Sequence, residues 1–117
     1  MDNNHSSSSL KWCPRWNEVK QNLIKWWNNQ GLAVSYYAER DKPKDSVVKP
    51  REPNDIIHYW IDAEFRCSQA EYYLAYRDEY GELFPYFDTQ IGPGSLGSFL
   101  GSSPQFDQTT VWQVLSS

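Results

Sequence analysis

Between Pro14 and Gln30 the apolar side chains Trp16, Val19, Leu23 and Trp26 recur every three to four residues, with Trp27 beside them. Lys20, Gln21, Asn22 and Asn28 fill the opposite side. This is the period of an amphipathic helix, and the spacing predicts one over 14–30 with the tryptophan stripe as its core face. Pro14 suits the first turn, and Gly31 is placed to end the helix in a left-handed conformation. The β-branched and aromatic run LAVSYYA, 32–38, predicts a strand. Three prolines and mixed charge over 39–55 predict a long loop.

Helical periodicity returns over 55–79. Asn54 or Asp55 can cap its start, and Ile57, Trp60 and Ile61 share a face. Asp62 can interrupt the pattern and cap a second helix through Phe65, Gln69, Tyr72, Tyr73 and Tyr76, closed by Gly81. The apolar run LFPYFDT, 83–89, reads as a second strand, with Pro85 restricting it to a strand start or edge. Gly92, Pro93 and Gly94 predict a tight turn, followed by a short helix over Ser95–Leu100 that Gly101 closes. SSPQFDQTT reads as a loop and TVWQVL, 110–115, as a last strand. No internal repeat is present.

The pattern therefore predicts an α/β chain. The polar head 1–12, including MDNNHSSSS and His5, is expected to be disordered. Residues 13–117 are expected to form a single α/β unit, a small sheet with packed helices. The 117 residues suffice for one domain. Six Trp, eight Tyr and five Phe could supply much of the core. A mean hydropathy of −0.75 is polar for a stable domain, so many aromatics lie half exposed or the chain belongs to something larger. The net charge of −4 opposes nucleic-acid binding, which needs clustered Lys and Arg. No apolar run approaches the roughly 18 residues that span a bilayer, and the polar head is unlike a signal peptide. A cytoplasmic location is the expectation.

The residues for chemistry are sparse. Cys13 and Cys67 match no zinc spacing and read as reduced thiols. His58 and Cys67 lie about 13 Å apart along a continuous helix, too far for a nucleophile–base pair or a shared metal. His58 reads as a hydrogen-bonded, half-buried histidine. The carboxylates, among them Asp62, Glu64, Glu71 and Asp88, offer no pair that the pattern singles out. Gly92, Gly94 and Gly97 match G-x-G-x-x-G formally. Pro93 stiffens that turn, however, and the acidic residue expected about 20 positions further on is missing. A packed turn at the lip of a pocket is the better reading.

Residues 80–112, YGELFPYFDTQIGPGSLGSFLGSSPQFDQTTVW, resemble a segment of the uroporphyrinogen decarboxylase-like proteins, in the branch related to cobalamin-dependent methyltransferases. The resemblance is carried by Tyr80-Gly81, Phe84-Pro85, Gly92-Pro93-Gly94, Phe99-Leu100-Gly101 and Thr110-Val111-Trp112. The Trp-rich first helix also resembles the family's opening helix. The resemblance implies the N-terminal portion of a (β/α)8, or TIM, barrel with its pocket at the strand ends. It implies decarboxylation of a porphyrinogen, a lyase reaction, or methyl transfer, with zinc or corrinoid in some methyltransferase members. Family members are roughly three times longer, so most of the barrel is expected to be absent. The arginine-rich substrate motif and the zinc ligands are not matched, and no catalytic residue carries over.

The first expectation is thus an N-terminal segment that is inactive alone and needs no cofactor of its own. Its partner would be the remainder of a barrel as a second chain, or another copy of itself, with no nucleic acid and no membrane. Phe87, Gly92, Pro93 and Gly94 are the candidate pocket-lining residues, because a glycine-rich turn follows an apolar run there. The second is a stand-alone binding module whose exposed aromatics stack on a sugar or peptide. Trp26, Trp27, Tyr36 and Tyr37 separate the two, being core in the first and exposed on a face in the second. A third is a structural remnant without function.

Overall fold

The structure, a computed structural model, describes residues 9–89, 91 and 94–114. It is a mixed α/β chain of helices with two small antiparallel sheets. In chain order the elements are α1 (Trp16–Trp27), β1 (Ser35–Glu39), α2 (Ile56–Ile61), α3 (Ala63–Ala75), β2 (Arg77–Gly81), α4 (Ser95–Phe99), β3 (Ser103–Phe106) and β4 (Val111–Val114). They form two compact units. One comprises the residues through Ser46 with Tyr73–Tyr86, and the other comprises Val47–Tyr72 with the residues from Phe87 onward.

In the first unit, α1 buries Val19 and partly covers Trp16, whose ring meets Phe84 edge-on at 5.4 Å. Cys13, Val19 and Ala75 are its buried apolar residues. The helix stops at Trp27, ahead of Gly31, because Asn29 already takes a left-handed φ of 57° and its amide donates to the Trp26 carbonyl. The tryptophans expected in the core are in water: Trp26 is 48% and Trp27 79% exposed.

β1 pairs antiparallel with β2, with Tyr36 opposite Tyr80 and Glu39 opposite Arg77. The expected helix through 79 therefore ends at Ala75. Its last carbonyl and that of the next residue are taken by the chain returning from β1: Lys44 N–H donates to the Ala75 carbonyl at 2.8 Å and Arg40 N–H to that of Tyr76 at 2.9 Å. Beyond them the residues alternate as a strand does. Tyr80 stacks on Tyr36, with ring centroids 5.1 Å apart. On the other face the nearly buried Glu79 carboxylate accepts from Lys44 Nζ at 2.8 Å and Arg77 Nε at 3.0 Å. Residues 83–89, expected as the second strand, join no sheet.

Gly81 and Glu82 lock this ladder to α1. Gly81 has φ +64°, and a Cβ there would overlap the Val34 carbonyl oxygen. Glu82 accepts from Val34 N–H at 2.7 Å and from Asn22 Nδ2 of α1 at 3.2 Å.

The second unit holds α2, most of α3, α4 and the β3–β4 hairpin, around Phe65, Gln69 and Val111. Residues 103–106, expected as loop, are a strand. Asp107 N–H donates to the Thr110 carbonyl, so the ladder's phase turns the nitrogen of Pro104 away from β4, where a missing donor costs nothing. Gly101 closes α4 with φ +95°. Among the described residues no helix is long and apolar enough to cross a membrane. His5 lies outside the described residues.

Gly81→Ala is expected to destabilise the first unit by on the order of 3 kcal/mol, since steric overlap with backbone adds to the left-handed strain. Gly31→Ala, at φ +88° but in open space, should cost only about 1–2 kcal/mol. Urea denaturation of the two variants checks the difference.

Candidate functional site

In the second unit an apolar cavity of about 490 Å³ opens beside the junction of α2 and α3. Trp60 and Ile61 come from α2, while Ala63, Arg66, Cys67 and Ala70 come from α3. Phe87, Thr89 and Ile91 complete it from the segment after α3. Its volume lies in the range of small-molecule sites.

The sequence builds this cavity in two steps. First, Asp62 interrupts the helix for one residue. Its backbone is extended (φ −70°, ψ 107°), its N–H still donates to the His58 carbonyl, and its Oδ1 accepts from Phe65 N–H at 2.9 Å. It therefore ends α2 and caps α3. Second, positions 63, 66, 67 and 70 fall on one stripe of α3, the i, i+3, i+4, i+7 spacing of a helix face. Three of the four carry small side chains, which leaves the space.

Arg66 is the one charged group among the described lining residues. Its guanidinium lies over the Trp60 ring at 5.7 Å and over Phe87 at 5.3 Å, and Nη2 donates to the Asp88 carbonyl at 3.1 Å. Trp60 is itself anchored, its Nε1–H donating to the Asp107 carbonyl at 2.9 Å. The walls are thus two aromatic rings and a flat cation, a surface suited to stacking against a planar, largely apolar group. No carboxylate or histidine lines it among the described residues.

Of the candidate pocket residues, Phe87 lines this cavity. Gly92 and Pro93 lie outside the described residues. Gly94 precedes α4 and packs on β4: a Cβ there would overlap Cγ of Gln113, and one on Gly97 would stand 3.4 Å from the same atom. The formal G-x-G-x-x-G match is thus met, at its described glycines, by the volume of a glutamine side chain. The small-residue stripe of α3 was hidden in the sequence by the tyrosines and Phe65 that share its helix.

A second, shallower groove of about 510 Å³ lies along Pro50–Asn54, His58, Asp62 and Glu64. Contrary to expectation His58 is exposed there. Its Nδ1 lies 2.6 Å from Asp55 Oδ2, while Asp55 Oδ1 accepts from Ile57 N–H at 2.9 Å. The Ile57 amide, and secondarily His58, hold the Asp55 carboxyl below the usual range. Among the described residues no three His, Cys, Asp or Glu side chains are grouped to hold a metal ion.

The four discriminating aromatics are all exposed, Tyr36 at 56% and Tyr37 at 59% joining Trp26 and Trp27. None serves as core. Tyr36 and Tyr37 are consecutive in β1 and project to opposite faces, so they form no single flat surface. No family model, curated protein or solved structure matches the chain.

Asp62→Ala should lower stability by about 1 kcal/mol by removing the cap of α3, measured by thermal unfolding, with Asp62→Asn close to the parent. Because Asp55 has a lowered pKa when folded, its contribution is complete above the ordinary carboxylate value and is lost as pH falls through the folded one. The Ile57 amide resonance should therefore titrate with a midpoint below the ordinary aspartate value of about 3.9.

Proposed function

We propose that this chain is the N-terminal part of a uroporphyrinogen decarboxylase-like protein and that it works by binding, as a wall for a planar ligand, without catalysing a reaction alone. The observation that carries this reading is the position of Phe87. It belongs to the stretch 80–112 on which the family resemblance rests, and it forms one side of the aromatic cavity together with Trp60 and Arg66. The pyrrole rings of a tetrapyrrole are each planar and largely apolar, which is the chemistry such walls favour. In this reading the two antiparallel strand pairs belong to the cap ahead of the barrel, since the barrel itself uses parallel neighbours. The barrel strands would then be supplied by further polypeptide. The zinc used by some methyltransferase relatives has no grouped donor set among the described residues, and no step is routed through it. A corrinoid, if carried, would be held by that further polypeptide.

The exposure of Trp26, Trp27, Tyr36 and Tyr37 favours a second reading, a free-standing module that binds a sugar or peptide. Its best platform is the Tyr36–Tyr80 stack, whose rings are within 10° of parallel and both exposed.

Titration with uroporphyrin, followed by tryptophan fluorescence, should give saturable quenching. Phe87→Ala should weaken it roughly tenfold and Tyr80→Ala should leave it unchanged. Absence of saturable quenching, or equal binding by Phe87→Ala, removes the cavity reading. Turnover of uroporphyrinogen by the purified chain would overturn its role as a wall only. Quenching by an oligosaccharide that Tyr80→Ala abolishes would establish the second reading instead.

A further inference from the structure

We infer that the chain self-associates through the free edge of β1, pairing antiparallel with β1 of a second copy about a two-fold axis at Tyr37.

The phase of the β1–β2 ladder sets which backbone groups are available. Glu82 N–H donates to the Val34 carbonyl at 2.8 Å and Arg40 N–H to that of Tyr76 at 2.9 Å. Hydrogen-bonded pairs alternate along an antiparallel ladder, so Val34, Tyr36, Ala38 and Arg40 face β2. The N–H and C=O groups of Ser35, Tyr37 and Glu39 therefore point away from it. All five residues of β1 are exposed, and no described strand pairs with that side.

Burial and sequence set this edge apart from those of the other three described strands. β3 turns the donorless nitrogen of Pro104 outward, and β4 packs against α4 through Gln113. β2 is mostly half-buried. β1 reads SYYAE, with no proline, lysine or bulge to blunt it.

The residues of β1 also specify the occupant. Centring the pair on Tyr37 sets Ser35, Tyr37 and Glu39 against Glu39, Tyr37 and Ser35 of the copy, so the outward groups of both strands are in bonding phase. The one charge in the strand, Glu39, then faces a serine hydroxyl on the copy and has Arg77 opposite it on β2. A parallel in-register pair would instead set Glu39 against Glu39. Tyr37 meets Tyr37, an aromatic pair of the kind that stabilises neighbouring strands, and Tyr36 meets the small Ala38. The product is a four-stranded sheet, β2–β1–β1–β2, where a lone two-stranded pair is marginal.

Sedimentation equilibrium of the chain should show a reversible monomer–dimer equilibrium. Ser35→Glu places two glutamate pairs face to face and should weaken the dimer by on the order of tenfold, with recovery in added salt. Ser35→Lys places lysine against glutamate twice and should tighten it. The double variant Ser35→Glu with Glu39→Lys should restore it. Positions 35 and 39 are both exposed, so these variants retain the fold, checked by circular dichroism. Amide exchange should slow at Ser35, Tyr37 and Glu39 as concentration rises and stay constant at Tyr36 and Ala38. A chain that stays monomeric at all concentrations overturns the inference. So does a dimer indifferent to the charge series, which would locate the contact on another surface.

Discussion

Between Ile61 and Ala63 the helical backbone is interrupted for one residue, and the Asp62 carboxylate takes the Phe65 amide that would otherwise open the next helix unbonded. A continuous helix here would carry Trp60 and Ile61 on in register with α3. The interruption instead lets them face the small-residue stripe formed by Ala63, Cys67 and Ala70, and the space between becomes a cavity. One short acidic side chain thus does two things, satisfying an orphan donor and creating concavity.

The first unit depends on a different constraint. Its two strands lie far apart in the chain, with all of α2 and α3 between them, so their pairing has no tight turn to set the register. Register is held at one end by the glycine that lets the Val34 carbonyl approach and by the Glu82 carboxylate reaching both β1 and α1. At the other end the Arg40 guanidinium grips Asp78 through both carboxylate oxygens, at 2.7 and 2.8 Å. The stretch after β1 is the loop that its prolines and charges predict. Lys44 ties that loop down: its amide serves as the C-cap of α3 and its ammonium neutralises Glu79.

What was legible in the sequence was local. The first helix, the break at Asp62, the Gly101 stop and the last strand each follow from residues within a turn or two of the feature. What was missed depends on partners remote in sequence. Residues 77–81 continue the tyrosine periodicity of α3 and end in a glycine, so they resemble a helix terminus, and only β1 makes them a strand. Residues 83–89 are apolar enough for a strand but have no edge to join. Pro104 suggests a loop until the hairpin's phase shows its nitrogen facing outward. For the cavity, Phe87 could be picked out from its neighbours, whereas Arg66 and Cys67 could not, because their importance comes from lying on the small side of a helix whose aromatic side dominates the pattern.

The contact of Gly94 and Gly97 with Gln113 carries a consequence for how this chain can vary. The side chain at 113 occupies the volume that a larger residue at 94 would need, and Ser98 Oγ donates to its amide oxygen at 3.0 Å. Positions 94 and 113 therefore behave as a coupled pair: drift at one is tolerated when the other shrinks in compensation. A lineage that exchanged the glutamine for alanine would be released from its glycine at position 94, since here that glycine answers to the packing of the glutamine side chain.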